Sequence, residues 1–117
     1  MESPILASDD DRLLEFQDQI SSIAELLGQA DPNDITDDED KIKEFKAFRL
    51  KWLHVAEEVE IGILKIVVSR LTALDAEFTA GIDRLKSALQ EANDIVAILS
   101  LIGKTLLIIG QIATLAV

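Results

Sequence analysis

The stretch Ile95-Val96-Ala97-Ile98-Leu99-Ser100-Leu101-Ile102-Gly103-Lys104-Thr105-Leu106-Leu107-Ile108-Ile109-Gly110-Gln111-Ile112-Ala113-Thr114-Leu115-Ala116-Val117 decides the fold. Its 23 residues hold thirteen Leu, Ile or Val and a single charge, Lys104. A helix of this composition has to be buried, either against other helices or in a bilayer. For insertion, the aliphatics contribute about −4 to −8 kcal/mol and a near-central lysine costs about 2.5–3.5 kcal/mol. Ser100, Thr105, Gln111 and Thr114 subtract further. The faces are also unequal. Asn93, Ala97, Ser100, Lys104 and Gln111 fall in one narrow stripe, opposite Ile95, Leu99, Ile102, Leu106, Ile109 and Ala113. A narrow polar ridge belongs to a helix covered on most sides by protein. The reading is a soluble helical bundle, with a membrane span over 95–117 as the alternative.

Upstream, Phe78, Ile82, Leu85, Leu89, Ala92, Val96, Leu99, Gly103, Leu106, Gly110 and Ala113 alternate spacings of four and three. That is the rhythm of helices packed at a shallow angle. Glycines on this seam let a partner come close. Thr79-Ala80-Gly81 is the best break in a proline-free remainder, so two long helices are expected over about 37–78 and 82–116, forming an antiparallel hairpin. Asn93-Asp94 offers a secondary kink and N-cap. The run Ile61 to Val68 is β-branched enough for a strand, but its length and helix-forming flanks favour helix.

A first, shorter helix is expected over about 9–28, capped by Ser8 and stopped by Gly28, with Leu13, Phe16, Ile20, Ile23, Ala24 and Leu27 as its buried stripe. Residues 1–8 read as a flexible leader and 29–36 as an acidic loop, in which Asp31-Pro32-Asn33-Asp34 carries turn chemistry. Thr36 to Glu39 fits a capping box. The fold class is therefore all-α, one helical domain over 1–117. Its two long helices are completed by a second copy into a four-helix core, with the acidic first helix outside.

Composition narrows the function. The chain has 117 residues, 49% hydrophobic and 4% aromatic, so the core is aliphatic. It has no cysteine, which removes disulfides and thiolate sites. Residues 1–40 hold thirteen acids against Arg12, and residues 41–117 hold nine acids and ten bases. This places the whole excess of the −11 net charge in the first third and disfavours nucleic acid as a partner. The start carries no basic segment of a targeting sequence, so the expected location is cytoplasmic, or membrane-associated in the alternative.

The segment from Lys41 to Trp52 is basic and aromatic, with Phe45, Phe48 and Trp52 on one face. These rings read as core. In the hairpin they would lie near 106–116, where glycine and alanine leave room. His54 with Glu57 and Glu58 has ligands at helical spacing, but His-x-x-Glu reverses the di-iron carboxylate order. The acidic loop lacks the central glycine of a calcium loop. No nucleophile has a histidine–acid setting, and no glycine-rich phosphate loop follows a strand. The expectation is a non-enzymatic interaction or scaffold protein without cofactor, metal or catalytic residues. It self-associates as a homodimer or higher, or binds another helical protein, through Phe45, Phe48, Trp52, Leu99, Ile102, Gly103, Leu106, Ile109, Gly110 and Ala113. A helical hairpin with one apolar stretch resembles α-helical pore-forming proteins in outline. That resemblance implies a membrane-associated protein able to insert 95–117.

Overall fold

The computed structural model describes residues 4–115. It is mostly helical, as the periodicity requires, but with four helices rather than three. They are α1 (Pro4–Gln29), α2 (Glu39–Glu60), α3 (Val68–Glu91) and α4 (Ile95–Ile112). Two short strands, β1 (Leu64–Ile66) and β2 (Ala113–Leu115), pair antiparallel with Ile66 opposite Ala113.

The expected break at Thr79–Gly81 is overturned: those residues lie inside α3. The chain breaks instead at 61–67 and 92–94. Gly62 adopts φ +85°, a left-handed conformation that L side chains rarely take, directly after the α2 C-cap Ile61. The β-branched run beyond it then extends into β1, so a strand stands where length favoured helix. The second break is more than the secondary kink expected of Asn93-Asp94. Ala92 turns left-handed at φ 50° and Asp94 caps α4, its carboxylate accepting from the Ala97 N–H at 3.1 Å. Each of the two expected long helices is thus shortened, and residues 113–115 form β2 rather than a last helical turn.

The N-terminal boundaries shift as well. Helix α1 starts at Pro4, so Ser8 is interior to it and the expected leader is helical from residue 4; proline suits the first helical position because its missing N–H costs nothing there. Residues 1–3 of that leader, and 116–117 at the other end, lie outside the described residues. Asp38 rather than Thr36 caps α2, accepting from the N–H groups of Asp40 and Lys41. Between α1 and α2, Pro32–Asp34 forms a single 3-10 turn capped by Asp31. Asn33 donates to Asp31 from both its backbone and its side chain at 2.9 Å, which holds the Asp31 carboxyl below the ordinary carboxylate value.

Each helix packs on two neighbours, giving the order α1–α2–α4–α3 around one core. The expectation that α1 packs outside is therefore overturned: Phe16, Ile20, Ile23 and Leu27 are buried at the centre. Its apolar stripe finds partners there. The rings of Phe16 and Phe78 pack at a tilt of 41° with centroids 4.6 Å apart, and Trp52 donates its Nε1–H to the Ile20 carbonyl at 2.9 Å. Helix α2 presents Phe45, Trp52 and Val59 to the core one heptad apart. Arg49 lies 5.8 Å over the Phe45 ring and donates to the Ala30 carbonyl just past the end of α1.

The polar ridge of α4 is observed, with Asn93, Ser100, Lys104 and Gln111 exposed. The opposite residues Ile95, Leu99, Ile102, Leu106, Ile109 and Ala113 are buried. The seam that the spacing runs across 92–94 loses its phase there: Phe78, Ile82, Leu85 and Leu89 are buried, but Val96 is 60% exposed.

Candidate functional site: an apolar groove between α2 and α4

The two sides of α4 are packed differently. Toward α3, Thr105 is 1% exposed and donates its hydroxyl to the Leu101 carbonyl at 2.7 Å. Its Oγ1 fills the space beside Gly81 so completely that a Cβ there would sit 3.0 Å away. Toward α2, glycines 103 and 110 stand one heptad apart and leave the facing side chains short of partners. A Cβ on Gly103 would meet only the Phe48 ring at 3.7 Å, and one on Gly110 would meet nothing within 4 Å.

The result is a groove of about 640 Å³. Phe48, Lys51 and Val55 of α2 form one wall, at spacings that place them on one helix face. The opposite wall and floor come from α4, through Gly103, Leu106, Leu107, Ile109, Gly110 and Gln111, with Ala113 at its end. Leu64 of β1 closes the groove where the ribbon crosses. The size and apolar lining match small-molecule sites in general. Lys51 is the only charged residue of the lining, and it makes no ion pair among the described residues. Leu107, on the rim, is 69% exposed, more than any other large apolar side chain among the described residues. Leu107 is continuous with the apolar lining of the groove, and it is contiguous apolar surface, not a single exposed side chain, that marks interaction sites.

The residues expected at an interface divide between two environments. Phe48, Gly103, Leu106, Ile109, Gly110 and Ala113 line the groove. Phe45, Trp52, Leu99 and Ile102 are buried in the core by the chain's own helices. Lys51, Val55, Leu64, Leu107 and Gln111 join the site without having been expected in it. Val55 follows Phe48 by a heptad, a spacing visible in the sequence; Leu64 enters through a strand pairing that no local pattern signals. His54 and Glu57 are exposed on the outer face of α2. No three His, Asp or Glu side chains among the described residues converge to hold a metal ion.

No family model, curated protein or solved structure matches the chain.

Proposed function

We propose that this chain is a non-enzymatic helical interaction module that self-associates through its α2–α4 face. The observation that carries this reading is Leu107, 69% exposed on the rim of the groove and on the same stripe as Val96, 60% exposed. A two-fold interface needs a surface complementary to itself. A protruding leucine beside a glycine-floored notch supplies both halves of such a contact, and glycines 103 and 110 let a second α4 approach closely. Sedimentation velocity in detergent-free buffer tests this. Wild-type protein is expected to self-associate at micromolar concentration, and Leu107→Glu to be monomeric with stability within about 0.5 kcal/mol of wild type, as for an exposed site. A wild-type monomer throughout that range ends the proposal.

A second reading, membrane association through α4, is favoured by one observation. Ile95–Ile112 is long and apolar enough to cross a membrane, with mean hydropathy 2.1. Insertion would strip Ile98, Ile102 and Ile109 from the core and submerge Lys104. Vesicle flotation separates the readings: membrane association predicts flotation strengthened by Lys104→Leu. Protein left in the aqueous fraction by both neutral and anionic vesicles removes it.

A further inference from the structure

We infer that the α2–α4 face takes a second copy of the chain in antiparallel orientation, each Leu107 seated over the partner's Gly110 and each Lys51 beside the partner's Glu58. The inference rests on self-association through this face and adds its direction and register.

Shape gives one axis. Helices α2 and α4 run in the same direction: the Phe48 ring faces Gly103, and Val55 and Gly110, each one heptad on, both line the groove. A two-fold axis across the helices reverses both of them, stacking α4 on the partner's α4 and α2 on the partner's α2. Gly110 has room for a leucine, since a Cβ there would meet nothing within 4 Å. With Leu107 over the partner's Gly110, the axis crosses α4 midway between the two, between Ile108 and Ile109.

Charge gives the same axis independently. Lys51 lines the groove, and Glu58 follows it by one heptad on the same face of α2. Neither is in an ion pair among the described residues. The two meet their opposite numbers on a reversed copy when the axis crosses α2 midway between them, between His54 and Val55. Val55 is level with Gly110, so this point and the one on α4 lie about one residue apart, roughly 1.5 Å of helix rise. One axis therefore serves both contacts. An axis along the helices, which makes the copies parallel, serves neither. It sets Leu107 against the partner's Leu107 and turns α2 toward the partner's α4, where the single charge, Lys104, stands near the level of Lys51 and repels it.

Charge exchange on the full chain, read by sedimentation velocity in detergent-free buffer, tests the register. Lys51→Glu alone and Glu58→Lys alone each bring like charges together twice per dimer and are expected to weaken dimerisation roughly three- to tenfold. An equimolar mixture of the two variants is expected to return to within about twofold of wild type, because each copy supplies the charge that the other lacks. Gly110→Leu fills the notch and is expected to weaken the dimer at least tenfold while keeping its helical circular dichroism. Crosslinking gives a second readout in a chain that has no cysteine of its own. With a short bismaleimide, Lys51→Cys mixed with Glu58→Cys is expected to crosslink faster than either variant alone. A wild-type dimer whose mixed charge variants stay as weak as the single ones, or in which Lys51→Cys crosslinks fastest to itself, overturns the antiparallel register and leaves self-association standing. A dimer indifferent to Gly110→Leu overturns the seating of Leu107. A wild-type monomer at micromolar concentration ends self-association and this inference with it.

Discussion

Helix α4 meets α3 on one side and α2 on the other, and glycine does opposite work at the two contacts. At α3, Gly81 is space that Thr105 fills, and the hydroxyl buried there is satisfied within its own helix. At α2, Gly103 meets only the Phe48 ring and Gly110 is space that nothing fills. The same residue type gives close packing in one place and a cavity in the other, because what matters is the side chain across from it. The α3 side holds the fold together, and the α2 side leaves surface available for a ligand or partner.

The sharpest way to break this contrast is to place the same side chain on both sides. Gly81→Leu drives a branched group into Thr105 and is expected to cost about 3 kcal/mol in urea denaturation. Gly110→Leu, entering open space in a helix, is expected to be neutral or to stabilise by about 0.5–1 kcal/mol. Equal losses would mean that the two sides are packed alike. Trp52→Phe extends the closely packed part to α1, since it removes the bond to the Ile20 carbonyl along with part of the ring. A loss of about 2 kcal/mol is expected by the same measurement. The turn between α3 and α4 is the flaw on the firm side: Ala92 holds φ 50°, which penalises its Cβ. Ala92→Gly is accordingly expected to raise stability by about 1 kcal/mol, seen as a higher thermal midpoint.

The smallest effect lies in the turn between α1 and α2. The Asp31 carboxyl is held below its ordinary value of 3.8 by the bonds from Asn33. A depressed folded value makes the charged form favourable to folding. This contribution is complete above 3.8 and disappears as pH falls through the lowered folded value. Asp31→Ala is expected to remove that share of the acid dependence and leave the neutral-pH groove unaltered, as read from paired urea titrations at pH 7 and below pH 4.

Much of the fold is legible in the amino-acid sequence alone. The mostly helical class, the α1 stripe through Phe16, Ile20, Ile23 and Leu27, the Asp94 cap and the polar ridge of α4 all follow from local patterns, and local patterns are what a sequence displays directly. Sequence and structure part where distant residues decide. Thr79-Ala80-Gly81 resembles a break because its residues are small, but Gly81 is small to admit Thr105, 24 positions later. The β-branched run after Ile61 is ambiguous alone, and its strand is settled by pairing with 113–115. The groove is half-hidden for the same reason. Gly103 and Gly110 are visible as a site of close approach, but whether glycine admits a neighbour or leaves a hollow depends on Phe48 and Val55 across the gap.

The ribbon that joins β1 to β2 has a consequence for the order of events during synthesis. Ile66 must wait for Ala113, about 50 residues further along. At roughly 5–20 residues per second, the ribosome makes that wait last about 3–10 seconds. Throughout that interval Leu64, Lys65 and Ile66 are translated but have no strand to pair with, and the core facing α4 stands open. The nascent chain is therefore most in need of a chaperone after its first two helices have been made and before its fourth, and a translational pause placed between them would lengthen its exposure.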